Sequence, residues 1–489
     1  MAQERNTITQ AGDYQLEIVE LISYRMHGGE SKPYRMNIKP IVINIELTED
    51  IFTNNMVGAI TVYDTQDVRT ILPITGLERL NLKFSTPGLP GVNANEEEGY
   101  PFQIYKIDEV RVDPENPRGQ MYRIFFCSQE MYYSSMHRVS QAFAGPVEDA
   151  VDKIFRQKDY LNSQKPLFVE PTKTNTKLVI PNLRPLNAIN LLSRYSVSGL
   201  YKNGGYVFYE NPDGYFFRSI ESMLAMGGAV ARPAKFAYRY QTSNVRTGET
   251  RDINTDMRNV LKYDFVRPVN TLYNMREGMY ANRLIMHDLF YKQVNISDYD
   301  YLDSFGDYFH VEHDEGNKAN DLATIPLSNY ENTNKDLASA FMSKLLLSPQ
   351  TSNIHNDYQM PLCSDTKQQS LVQRLQLQNL NLNLLVFGNS LIKSGDIISF
   401  DVPMMRPLGE KKQDPNPYHS GRYLVMAIKH VINISAGRYE MVLKCMRDAV
   451  RTPLVSETEN NAVITKESGI YNIYQEDSNI LRGDILERT

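Results

Sequence analysis

Apolar and polar residues alternate in three neighbouring segments: Ser394-Gly-Asp-Ile-Ile-Ser-Phe-Asp-Val-Pro403, Tyr418-His-Ser-Gly-Arg-Tyr-Leu-Val425 and Gly437-Arg-Tyr-Glu-Met-Val-Leu-Lys-Cys445. A period of two is that of a half-buried strand, and the Gly, Pro and Asn-rich breaks between the segments predict three antiparallel strands. The same period occurs earlier and predicts strands over 14–24, 41–47, 57–63, 78–84, 102–112 and 120–128, with breaks at Thr86-Pro-Gly-Leu-Pro90 and Asp113-Pro-Glu-Asn-Pro117. So many strands in so short a span predict a small sandwich or barrel.

Between the two β regions the period changes. Pro146 and Pro185 each open a stretch with apolar residues at helical spacing, which predicts helices over 146–155 and 185–195. Tyr206 to Phe217 predicts a hairpin with Asp213-Gly214 in its tight turn. Residues 235–240 are expected to return to the first β region, and 256–265 to form a helix or a linking turn. The stretch through 298–334 is polar and Asp/Asn-rich. A helix is predicted over 334–347, and strands resume from Ser370.

The two β regions also share an order. Leu80 to Pro87 aligns with Asp396 to Pro403, each a strand with Phe (Phe84, Phe400) three residues before Pro; Ile104 to Val110 aligns with Val425 to Val431, and Gly119 to Cys127 with Gly437 to Cys445. The expectation is an internal duplication.

Composition narrows the function classes. A 489-residue chain with 42% hydrophobic and 22% charged residues is a folded protein of several domains. Its apolar runs fall short of the ~20 residues that span a bilayer, so no membrane anchor is expected. The polar N-terminus predicts no signal peptide and a protein made in the cytoplasm. A net charge of −6 argues against general affinity for nucleic acid. Cys127, Cys363 and Cys445 are too scattered for a disulfide framework or a metal site and are expected to be free thiols. The chain has no Trp, which disfavours a sugar-binding platform.

Catalytic chemistry finds little support. His310-Val-Glu-His313-Asp314 is the one imidazole–carboxylate cluster, and its polar surroundings favour a solvated loop over a metal site. Asp298, Asp300 and the run Glu96-Glu97-Glu98 are expected to be solvated acids. Phosphate-loop, serine-elbow and dinucleotide fingerprints are absent from the sequence. No catalytic, cofactor-binding or metal residue is therefore assigned. Gly395-Asp396 and Gly421-Arg422-Tyr423 are expected to serve turns and strand edges, with Arg422 and His430 either facing a partner or finishing the fold.

Taken in order, these pieces resemble the baseplate central hub subunit of T-even-like contractile-tailed bacteriophages. The matching residues are Leu72-Pro-Ile-Thr-Gly76, the strand ending Phe84-Ser-Thr-Pro87, Pro185 to Leu192, Phe208 in Tyr206-Val-Phe-Tyr209, Asp213-Gly214, Ser219 in Phe217-Arg-Ser-Ile220, and the terminal set Gly395, Asp396, Pro403, Gly421, Arg422, Tyr423, His430 and Asp448. The resemblance implies a β-rich α+β fold with two tail-tube-like barrels per chain. They would occupy 1–133, with a return segment at 230–265, and 366–450. The remaining bounds come from composition and spacing: an inserted α+β domain over 134–229, an irregular linker over 266–365 and a polar C-terminal arm over 451–489 that stays mobile or docks on a neighbour, with 298–334 and the arm lacking a counterpart in the family. The resemblance also implies a homotrimeric ring whose six barrels match a hexameric tube. The implied partners are the tail tube protein, the central spike, other baseplate proteins, and the tape-measure protein and DNA passing through; the implied place is the virion tail. A secretion-system spike hub and a tail-associated cell-wall hydrolase are the alternatives.

Overall fold

The computed structural model describes residues 7–450 apart from 26–32, 241–251, 267–269, 289–291, 313–319, 322–343, 351–362, 404–414 and a few isolated positions. The C-terminal arm, His313, Asp314 and the start of the helix predicted at 334 lie outside the described residues. The first β region contains β1 (Gln15–Ser23), β2 (Val42–Asp50), β3 (Val57–Asp64), β4 (Arg79–Ser85), β5 (Phe102–Val112) and β6 (Gln120–Ser128). Every strand predicted there is present, and β5 and β6 have the predicted bounds. Alternation explains it: Leu80, Leu82 and Phe84 point into one core with Ile45, Leu47, Ile60, Val62, Ile104, Ile124 and Phe126.

The insertion has a core of its own. It comprises α1 (Gln129–Met136), β7 (Val139–Pro146), α2 (Val147–Arg156), β8 (Asn175–Leu183), α3 (Pro185–Tyr195) and the hairpin β9 (Tyr206–Asn211) and β10 (Gly214–Ser219). Val147, Val151, Ile154 and Phe155 form one face of α2 and pack with Ile189, Leu192, Phe208, Tyr215 and Phe217. Pro185 stands in the first turn of α3, where its missing N–H costs nothing. Pro146 instead ends β7 and precedes α2. The hairpin turn is also one residue earlier than predicted: Asn211 pairs with Gly214, so Pro212 and Asp213 make the turn. Gly214 has φ +139°, and a Cβ there would lie 2.5 Å from the Pro166 carbonyl oxygen.

The second β region contains β11 (Phe236–Arg239), β12 (Val260–Phe265), β13 (Leu380–Phe387), β14 (Ile397–Asp401), β15 (Gly421–Asn433) and β16 (Arg438–Arg447). Three expectations are corrected here. The return segment joins this region rather than the first: β11 pairs with β14 and β12 with β13. Val42–Asp50 already fills the position beside β3, whereas the chain from 380 onward lacks an equivalent strand until β12 supplies it. The strands expected from Ser370 are preceded by a helix, α4 (Cys363–Leu377), which buries Val372, Leu375 and Leu377; its Gln-rich sequence suits a helix as well as it suits alternation. Finally, Leu345–Gln350 is a strand parallel to Ala281–Asp288, not the end of a helix.

The β-rich α+β class holds. Among the described residues no sheet closes fully into a barrel: the path of the first unit is open, and in the second the isolated Arg239–Asn259 bridge alone links β11 back to the start of β12. Among the same described residues a single 14-stranded sheet runs β12-β13-β16-β15-β2-β3-β6-β5-β4-β1 and ends on Tyr34–Asn37. Within it lie two five-strand units of the same order, β2-β3-β6-β5-β4 and β12-β13-β16-β15-β14. Their irregularities match. Both β2 and β12 bulge after their first paired residue, between Val42 and Asn44 and between Val260 and Lys262. Both β5 and β15 bulge early, between Ile104 and Lys106 and between Val425 and Ala427. A bulge inserts one unpaired residue and re-aims the strand, so two coincident bulges fix the correspondence residue by residue. Ile104 matches Val425, as the sequence alignment has it. Opposite them stand Phe126 and Cys445, so the Cys127–Cys445 match is one residue out. Leu80 faces Phe102 as Ile398 faces Tyr423, which moves the first segment by two residues and keeps its inward face. Among the described residues no helix is long and apolar enough to cross a membrane.

Candidate assembly interface

β15 is long enough to serve two neighbours. Its first residues, Gly421 to Leu424, pair with β14, and after the bulge Ala427 to Asn433 pair antiparallel with β2 from Asp50 to Asn44. That second half is the seam that joins the two units. His430 lies in it, opposite Leu47, and is buried. Its Nδ1 is 2.7 Å from the Tyr439 hydroxyl and its Nε2 3.1 Å from Glu49 Oε1, while Glu49 Oε2 accepts from the backbone N–H and hydroxyl of Ser394. Phe84 meets the rings of His430 and Tyr439 edge-on, each at 6.0 Å. Thr86, beside the buried Pro87, exchanges hydrogen bonds with Ser390 and with the Gly388 carbonyl. The seam thus ties the first unit to the second through strand pairing and a satisfied polar core.

A second cluster lies at the N-terminal end of β15. The Arg422 N–H donates to Glu312 Oε1 at 2.6 Å, and its guanidinium donates to the Arg232 carbonyl. Arg447, buried, holds Glu312 at 2.8 Å and lies 5.3 Å from the centre of the Tyr423 ring, whose hydroxyl donates to the His419 carbonyl. His310 Nδ1 is 2.9 Å from Asp448 Oδ2, and Asp448 Oδ1 accepts the Val311 N–H. Gly421 has φ +139°, and a Cβ there would collide with Glu312 and lie 2.9 Å from Arg447 Nη2. His310 and Glu312 are therefore buried structural ligands of the strand ends, which corrects the solvated-loop expectation. Their partners are more than a hundred residues away in sequence, so local polarity gave the wrong environment.

Of the other positions that carry the resemblance, Asp213 and Gly395 join the insertion to the second unit. Asp213 pairs with Lys393, and Asp396 accepts from the Lys393 N–H at 2.9 Å and from Lys235 at 2.8 Å. Gly395, φ +87°, leaves room for the Tyr209 hydroxyl. Ser219 caps the short helix Ile220–Leu224 by accepting from Ser222 and donates to Glu170. Phe208 stacks on Tyr215 at 5.2 Å. Pro403 bridges to Pro415, and Gly76, φ +91°, lies beside Tyr105 at the rim of the first unit. Asp298 is on a strand, held by Arg283 at 2.6 Å.

Sequence reasoning missed the buried charges. Lys165 sits between Glu130 (3.0 Å) and Glu210 (2.6 Å) under the insertion. Burial alone would lower the Lys165 pKa, and the two carboxylates turn the shift upward; burial raises that of Glu210. Burial also pushes the Glu221 carboxyl up to about 7 and the Cys127 thiol up to about 12. Cys127 and Cys445 are free and buried, as expected. The one signal available in advance was Arg447-Asp448, two charges closing an apolar strand. A cleft of about 430 Å3 opens between the insertion and α4, lined by Phe52, Asn190, Arg194, Lys367 and Arg374 among others. It gathers cations rather than paired acids.

No protein-family model matches the chain, and no curated protein matches it. Solved structures do. A tail protein from Neisseria meningitidis is similar at 10% identity and TM-score 0.49, over 89% of this chain and 97% of that one. The 43 kDa tail protein of prophage MuSo2 from Shewanella oneidensis is similar at 9% identity and TM-score 0.48, over 89% and 100%. A component of the E. coli type VI secretion system, described as structurally similar to T4 bacteriophage tail proteins, is similar at 10% identity and TM-score 0.40, over 85% and 77%.

Proposed function

We propose that this chain is a structural hub subunit of a phage tail: a homotrimer that adapts the hexameric tail tube to a three-fold central spike and nucleates tube assembly. The observation that carries this reading is the duplication itself. Two units with the same strand order and the same two bulges are joined edge to edge, and three such chains present six similar units to a six-fold ring. The motif order that resembles the hub family supports it further.

Five of the buried acids point the same way. Glu49 meets His430, Glu312 meets Arg447, Asp448 meets His310, and Glu130 and Glu210 share Lys165. Each is committed to a basic partner in the interior, an arrangement that holds elements together rather than one that passes protons to a substrate in a cleft. The protein would act mechanically, in the baseplate of a virion assembled in the host cytoplasm. One rim would template the tube, the other would grip the spike, and the channel would pass tape-measure protein and DNA.

The test is the mass of the purified protein in solution together with its averaged shape in electron micrographs. A three-fold ring with six similar lobes is expected. A monomer that stays monomeric when mixed with its spike would overturn the reading, as would turnover of purified peptidoglycan above the protein-free blank.

A further inference from the structure

The seam inside the chain has a vacant counterpart. In the second unit, the half of β15 beyond its bulge is covered by β2 of the first unit. In the first unit, β4 meets β5 only at Phe102 and Gln103, and among the described residues no strand pairs with the rest of β5 on that side. The strand equivalent to β2 is β12, and β12 is the terminal strand of the sheet. One molecule therefore carries both halves of a second seam, β12 at the end of the sheet path and β5 inside the first unit, with six strands between them. We infer that β5 of one copy pairs antiparallel with β12 of the next, repeating between chains the β15–β2 seam found within the chain. The inference rests on the ring reading above and names the surfaces and register that close it.

The correspondence fixes the register. Arg111 faces Met121 as Val431 faces Glu440, and Val112 faces Gln120 as Ile432 faces Tyr439, so Arg111 stands in the place of Val431 and Val112 in that of Ile432. β5 holds one residue more, absorbed in its second bulge between Asp108 and Arg111. On the other strand, Phe265 faces Leu382 as Leu47 faces Gly58, which puts Asp264 in the place of Glu46 and Tyr263 in that of Ile45. Within the chain Val431 pairs with Glu46 and Ile432 with Ile45. Between chains, Arg111 then stands opposite Asp264 and Val112 opposite Tyr263.

Both pairs make chemical sense. The first sets a cation against a carboxylate across the ladder, where opposite charges are favourable. The second restores an apolar pair. Ile432 and Ile45 are buried in the existing seam, whereas Val112 is 60% and Val110 46% exposed, apolar side chains on a long strand edge. Such an edge invites pairing, and the interior of the molecule supplies the template for its partner. Because the contact is head to tail, each added copy leaves the same two edges for the next until the circle closes.

The experiment pairs Arg111→Cys with Asp264→Cys in one full-length chain and treats it with a short bismaleimide. Covalent dimers and trimers are expected on a denaturing gel, with monomers alone from either single variant. In parallel, Arg111→Glu is expected to weaken association roughly tenfold, and Asp264→Arg in the same chain to restore it; thermal melts of these exposed-site variants should match the parent. A protein that is trimeric by mass yet gives no cross-link and ignores Arg111→Glu would overturn the strand pairing and leave the hub reading standing. A parent chain that is monomeric at every concentration would overturn both.

Discussion

β15 and β5 are the same strand of two equivalent units, yet one is sealed along its second half and the other is open. In β15, Ile428, His430 and Ile432 are buried because β2 lies across them; at the equivalent end of β5, Val110 and Val112 face outward. Both strands bulge early and both pair with the strand that follows, so local propensity does not separate them. What separates them is whether a neighbour is present. Exposure on a duplicated scaffold is thus a statement about connectivity, and an apolar residue that looks misplaced in one copy can be read from its counterpart in the other.

The comparison breaks most severely at Gly421. Gly421→Ala must adopt a φ that side chains avoid and displace Glu312 from Arg447, so a loss of about 4 kcal/mol or more in unfolding free energy is expected by denaturant titration. Tyr100 stands at the matching position of the first unit, two residues before Phe102, and Tyr100→Ala should cost less than about 1 kcal/mol.

Acidity separates the two units next. Glu221, on the short helix Ile220–Leu224, accepts the Phe309 N–H next to His310; burial raises its carboxyl to about 7 from 4.5. Between those values the folded chain holds a proton that the unfolded chain releases, so stability falls as pH rises from about 4.5 to about 7, by an amount on the order of 3 kcal/mol. Glu221→Gln should flatten that part of the stability profile measured by thermal melts.

Smaller again is the seam itself. Glu49→Ala strands His430 and Ser394 and should cost about 2–3 kcal/mol, whereas Asp264→Ala on the open edge of the dissociated chain should stay within about 0.5 kcal/mol. The mildest test leaves the sequence untouched. In dilute, dissociated protein, amides of 106–112 should exchange with deuterium well before those of 427–433, and assembly should bring the two rates together.

Much of this was legible from periodicity. The bounds of β5, β6 and α3 follow from alternation and from a proline at a helix start, and the order of the duplication is visible in Phe84, Gly119 and their counterparts. Its register was not, because alternating strands align equally well when slid by two; only the bulges, which no local signal marks, settle it. α4 reads as a strand until Val372 and Leu375 are seen packed on one side. The polar core was hidden for a different reason. His310, Glu312 and Glu49 acquire their meaning from Asp448, Arg447 and His430, and nothing in a local window announces a partner that far along the chain.

The seam also sets an order of events during synthesis. β2 leaves the ribosome early, and the strand that covers it, β15, follows only after the insertion, β12 and α4 have been made. Until then the first unit carries two uncovered edges rather than one, and the second unit cannot close because its opening strand precedes a long detour. A chain terminated before β15 therefore displays an uncovered β2 edge that invites wrong pairing, and its β12, already made, has no complete sheet to dock on. The duplication works as a length check: only a chain translated through β15 hides the inner edge of β2.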